Sequence, residues 1–176
     1  MTISPPLTDA TVGTWTIDPA ATTVTVSVKK LGLFTVSADL TVLDGQIDID
    51  SDGSVTGAAV QIDATSYRSP NDKRNEHVRG ADFLDADNHP VLAFRADEIA
   101  PDGAQYTVSG TVNVKGAESA VVAVVRDVDV RGDAATFSLS AALDRTTIGV
   151  GKLPSLFVGN RLQLDVAATA RHQPAG

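Results

Sequence analysis

"LFTVSADLTV", residues 33–42, is the stretch on which the fold turns. Phe34, Val36, Ala38, Leu40 and Val42 fall on every second position, with Thr35, Ser37, Asp39 and Thr41 between them. A period of two places the apolar set on one face and the polar set on the other, as in a half-buried strand; on a helix the same residues would scatter around the axis. Immediately upstream, "TVTVSV" (23–28) puts Val24, Val26 and Val28 on one face in the same way.

The pattern recurs downstream. Strands are predicted at 46–50, 55–67, 91–99, 105–115, 120–131, 135–144 and 161–170. Within them Val60/Ile62, Val112/Val114, Phe137/Leu139/Ala141/Leu143 and Leu162/Leu164/Val166/Ala168 each share a face. The dipeptides Asp44-Gly45, Asp52-Gly53, Asp102-Gly103, Gly132-Asp133 and Gly159-Asn160 are predicted hairpin turns, since they accept the positive φ of tight connections. The Arg-Gly-Asp at 131–133 reads as one such turn rather than as an adhesion motif, because strands flank it. Strands do not alternate with helices, which disfavours a parallel α/β sheet. A single domain is expected over 14–170, after a loose arm at 1–13 that carries Pro5 and Pro6, and before a short tail at 171–176.

An antiparallel sheet of eight to ten strands must protect its edges, by closing into a barrel or by stacking as a sandwich. A barrel of about eight strands is wide enough either to fill with side chains or to hold one ligand. Aromatic residues make up only 5% of the chain, and Ala38, Ala64, Ala141 and Ala168 fall on candidate inner faces. Hollow and filled barrels both fit the pattern.

Composition excludes several classes of chemistry. The 176 residues contain no cysteine, which removes disulfides, thiolate metal sites and cysteine nucleophiles together. The net charge of −8, with no cluster of Lys and Arg, argues against nucleic acid and anionic membranes as partners. No apolar run approaches the length of about eighteen residues needed for a membrane helix, so no membrane insertion is expected. The opening residues have neither a basic nor an apolar signal region, so a cytoplasmic location is expected.

One segment breaks the alternation. "SPNDKRNEHVRGADFLDADNHP" (69–90) carries two of the three histidines among many charges. Ser69 as cap, Pro70 in the first helical position and Gly80 as a stop predict a short helix over 70–79 and a loop returning to a strand at Val91. Asp85, Asp87 and His89 resemble the start of a calcium loop, but Pro90 and Ala96 stand where Gly and Glu are required. No zincin spacing accompanies His77 and His89, and no metal site is assigned. Lys73 and Arg74 share a helix face with His77, whereas Glu76 points away from it. A neutral His77 among those cations would suit a general base, and a solvated helix face is the plainer reading. No serine-hydrolase elbow is present, and "GVGKLP" (149–154) fails as a phosphate loop at Leu153 and Pro154.

Taken in order, "WTIDPAATTVTVSVKKLGLFTVSADL", "DGQIDID", "SYRSPNDKRNEHVRGADFLDADNHPVLAF", "VSGTVNVKG" and "RTTIGVGKLPSLFVGNRLQLDV" resemble the YceI-like family, over about 14–170. The resemblance implies a lipocalin-like antiparallel barrel whose elongated cavity binds polyisoprenoids and similar long apolar molecules, and it suggests a homodimer. The middle segment is the most specific. Arg74, Glu76 and His77 match the family's charged helix motif; Asp82, Phe83 and Pro90 match the family's loop downstream of that helix; Arg145 and Gly149 match a late element. The chain departs at Asn75, Val78, Lys30, Thr147 and Ile148, where Asp, Leu, His, Asp and Phe are usual.

On this reading the barrel wall would include Phe34, Val36, Phe94, Phe137, Leu139 and Leu164, with Phe83 and Leu84 turned inward from the insertion. Arg74, Glu76 and His77 would tie the insertion to the strand ends or line the mouth. Arg145, by parity with Leu143, would point inward and pair with a carboxylate, unless it is a solvated strand end. The expected function is carriage or sequestration of an apolar ligand such as an isoprenoid quinone or polyprenyl lipid, without cofactor or catalysis. An enzyme acting on such a lipid through His77, and a filled barrel serving protein interactions, are the alternatives.

Overall fold

The computed structural model describes residues 12–30, 34–50, 54–80, 83–144 and 158–173. Nine strands and one α-helix appear among them: β1 (Gly13–Ile17), β2 (Thr23–Lys30), β3 (Phe34–Ile49), β4 (Val55–Arg68), α1 (Asp72–Arg79), β5 (Val91–Asp102), β6 (Gln105–Val114), β7 (Ala117–Arg131), β8 (Ala134–Asp144) and β9 (Val158–His172). Neighbours in the chain pair antiparallel from β2 to β9, and β2 pairs with β9, so eight strands close a barrel without a free edge.

The ninth strand has no counterpart in the alternation reading. β1 pairs with both β3 and β9, Trp15 lying opposite Ile47 on one side and His172 on the other. It occupies the slot beyond the end of β2, and a 3-10 turn at Pro19–Ala21 separates the two. One barrel wall is therefore a strand interrupted by Asp18-Pro19, where proline supplies no amide for a ladder. Asp18 Oδ1 accepts from the Ala20 amide at 3.1 Å, and its other oxygen from Arg171 Nε at 3.0 Å. These bonds, that from Arg171 foremost, hold the Asp18 carboxyl below its usual range.

Two of the predicted turns are corrected. Asp44-Gly45 lies inside β3, which runs unbroken through both segments read as separate strands. The register shifts between Val42 and Asp44, a bulge rather than a reversal. Gly45 is there because β1 crosses close by: a Cβ would sit 2.6 Å from Ile17 Cγ1. Gly159-Asn160 likewise lies within β9. Asp102-Gly103 and Gly132-Asp133 are turns, with Gly103 and Gly132 both at φ +61°. The tight turn at Lys115-Gly116 (φ +56° and +77°) went unpredicted. Strand β9 continues through His172, so residues 171 and 172 belong to the barrel wall rather than to a tail. Gln173 also docks, its amide donating to the Thr14 carbonyl at 2.8 Å. Asp52-Gly53 and the first eleven residues of the expected arm fall outside the described residues.

The helix starts two residues later than predicted. Asn71, not Ser69, is the cap, its Oδ1 accepting from the Arg74 amide at 3.0 Å. Gly80 ends the helix as expected.

Candidate functional site

The inner face of the barrel is assembled from cross-strand rows. Across the middle, Ala38, Val26, Leu164, Ala141, Ala123 and Val108 lie opposite one another in sequence around the wall. Three of the six are alanines, and two of these, Ala123 and Ala141, line the lumen with side chains too short to meet across the axis. The result is a cavity of about 540 Å³, and the barrel is hollow. All eight barrel strands contribute aliphatic or aromatic side chains to it, from Val24 on β2 to Val166 on β9.

The two ends of the cavity differ. Ile17, Val42 and Ala168 line it toward the β1 end. Trp15, 2% exposed, packs in the same core and meets His172 edge to face, with ring centroids 5.3 Å apart. At the opposite end, where β4 gives way to α1 and β5, the lining becomes polar: Tyr67, Asn71, Lys73, Arg74 and His77 join Val78, Phe83 and Leu84.

That polar end is fixed by two local devices. The first is an irregularity in β4: Asp39 pairs with Arg68 but Thr41 with Asp63, so residues 64–67 bulge from the ladder. Ser66 Oγ fills the gap by accepting from the Thr41 amide at 2.7 Å, and Tyr67 turns into the cavity. Burial raises the Tyr67 phenol above its ordinary pKa, with nearby Arg74 acting in the opposite sense. The second device is Asn75, 4% exposed beneath the helix. Its Oδ1 accepts from the Ser69 amide and hydroxyl, both at 2.7 Å, and its Nδ2 donates to the Ser69 carbonyl at 3.0 Å. One amide thus ties α1 to the end of β4. His77 is braced in turn by Phe83, edge to face at 4.8 Å.

Of the side chains expected in the wall, Val36, Phe83, Leu84, Phe94, Phe137, Leu139 and Leu164 line the cavity. Phe34 does not. It has the right parity but is the first residue of β3, paired with Lys30 at the hairpin end, and is 60% exposed. Of the expected mouth residues, Arg74 and His77 line the cavity, whereas Glu76 is exposed and outside the lining. Arg145, with Asp82, Thr147, Ile148 and Gly149, lies outside the described residues. At this end sequence reading missed Tyr67, Asn71, Lys73 and Val78 as lining residues. For Tyr67 no sequence signal existed, because parity from Val60 and Ile62 points Ala64 and Ser66 inward and the bulge resets it. The phenyl ring of Phe94 owes its seat to Gly110, where a Cβ would lie 2.7 Å from the ring and collide with the Arg95 carbonyl.

The sequence model of the YceI-like domain matches residues 15–170. The chain belongs to the YceI-like family. A UPF0312 protein of Pectobacterium carotovorum subsp. carotovorum (strain PC1) is 28% identical over 90 residues, 51% of this chain and 47% of that protein. A UPF0312 protein of Vibrio cholerae serotype O1 (strain M66-2) is 26% identical over 105 residues, 58% and 56% of the two chains. The matches thus span about half the length of these curated relatives. Among solved structures, Burkholderia cenocepacia BcnA superposes with a TM-score of 0.78 at 24% identity, covering 87% of this chain and 98% of that one. A polyisoprenoid binding domain from Saccharophagus degradans, implicated in plant cell wall breakdown, superposes at 0.69 with 12% identity, covering 90% and 98%. At these identities the likeness is one of fold, and the YceI-like barrel is what the chain and these structures share.

Proposed function

We propose that the chain binds one long apolar molecule, of isoprenoid type, inside its barrel, and that it acts by carrying or sequestering that molecule rather than by transforming it. The observation that carries this reading is the cavity, about 540 Å³ in volume and walled by apolar side chains from every barrel strand. That size falls within the usual range of ligand sites, and an apolar wall with few polar groups at one end suits a chain with a small head. Each buried CH₂ contributes about 0.8 kcal/mol before the cost of ordering the ligand, so a tail of roughly twenty carbons needs few polar contacts. Likeness in fold to a domain named for polyisoprenoid binding supports the same reading.

The test uses the delipidated chain and N-phenyl-1-naphthylamine, a neutral dye that brightens in apolar surroundings. Geranylgeraniol is expected to displace the dye at one molecule per chain. Ala141 faces Ala123 and Leu164 in the middle row, so Ala141→Trp should fill the lumen there. Affinity is expected to fall more than tenfold while the barrel's β-sheet circular dichroism persists. Unchanged capacity in a folded Ala141→Trp protein would mean that the dye and lipid bind elsewhere.

A further inference from the structure

Charge is sorted at the cavity. The chain carries 22 acidic residues against 14 Lys and Arg, yet no described carboxylate lines the cavity, and its only described charged lining groups are Lys73 and Arg74. Both stand at the polar end beside Tyr67 and His77. Neither is spent on a neighbour: among the described residues no carboxylate lies within ion-pair distance of either side chain. The acids of the same helix, Asp72 and Glu76, are exposed and outside the lining. Lys73 is exposed and Arg74 half-buried, as befits groups at a rim where water and an apolar interior meet.

From this we infer that the ligand's head is an anion, a carboxylate or phosphate, held at the rim by Lys73 and Arg74 while the tail lies in the barrel. The inference rests on the apolar-ligand reading and adds the head-group class to it. Guanidinium and ammonium groups next to a low-dielectric lumen attract a negative head more strongly than the same groups in open water. Tyr67 adds a neutral hydroxyl donor, since its burial disfavours the phenolate. A neutral alcohol or quinone head would leave both cations without a charged partner among the described residues. The nearby Asn75 amide is turned toward Ser69, which donates twice to its Oδ1 and accepts one N–H of its Nδ2.

The experiment compares four probes by dye displacement on the full chain at low ionic strength: geranylgeraniol, geranylgeranoic acid, geranylgeranyl monophosphate and inorganic phosphate. At least one of the two acidic lipids is expected to bind ten times or more tighter than the alcohol. That advantage should shrink below threefold in Lys73→Ala/Arg74→Ala and in 0.5 M NaCl, and survive in Lys73→Arg/Arg74→Lys. Should the double alanine variant not fold, Lys73→Gln and Arg74→Gln singly carry the same expectation of a reduced advantage. Geranylgeraniol binding as tightly as both acids would overturn the anionic head and leave the apolar-ligand reading standing. No binding by any lipid would overturn both. Saturable, salt-sensitive binding of inorganic phosphate alone, by calorimetry, with no gain from the tail, would assign the rim to a free anion and sink the proposal.

Discussion

Asn75 shows how much a single buried amide can fix. The family resemblance drawn from the sequence implies Asp at this position, and its replacement leaves open from sequence alone whether the helix motif still works. The structure gives Asn75 a task suited to an amide: it accepts two bonds from Ser69 and donates one back to the Ser69 carbonyl, which a carboxylate cannot do. Truncation would strand the Ser69 amide in a nearly dry pocket and leave its hydroxyl only the longer bonds with Asn71, at 3.3 and 3.4 Å. Asn75→Ala is therefore expected to cost about 2–3 kcal/mol, read as a lower urea midpoint with an unchanged slope. A loss below about 0.5 kcal/mol would show that the α1 anchor is not where stability resides. At this scale the sequence was legible for face and illegible for height. Phe34 and Val36 share a parity, but only Val36 lies low enough to reach the cavity. Parity counts residues from a turn, and nothing in residues 33–42 marks where the barrel rim falls.

Among the elements, the strands were readable because one face meets the lumen or core and the other meets water. The irregular places were not, because they answer to neighbours distant in sequence. Asp44-Gly45 has the chemistry of a hairpin turn, yet Gly45 serves the passage of Ile17 from β1, a contact between residues that no local pattern links. The bulge that turns Tyr67 inward likewise shows only in pairing with a distant strand, where β4 meets β3 and Ser66 takes the Thr41 amide. Gly45→Ala tests this account of the first site. Its Cβ would press on Ile17, so a loss of about 1–3 kcal/mol is expected from overpacking. Pairing it with Ile17→Ala should return part of that loss, giving a favourable coupling in the double-mutant cycle. Strict additivity of the two changes would contradict a direct Gly45–Ile17 contact.

For the whole molecule, closure and hollowness have the same origin. Eight strands give a circumference that large side chains would fill, and alanines at Ala123 and Ala141 leave it open at mid-height. Closure was foreseeable from the number of strands and the need to protect edges. The cavity was not foreseeable from the alternation pattern, since alanine on an inner face fits a tightly packed wall equally well, and only the family resemblance implied it. At one end Trp15 of β1 is buried in the core, and the other end carries α1 with two cations that no described carboxylate pairs. The barrel thus has a direction: an apolar floor and a polar rim.

The most direct test of the binding account is native mass spectrometry of the freshly purified chain, followed by solvent extraction and identification of the released molecule. The account predicts a stoichiometric adduct of one long-chain apolar molecule, lost on extraction and regained when the extract is added back. A protein that runs at its bare mass, and stays there after incubation with geranylgeraniol and its acid and phosphate counterparts, would contradict it.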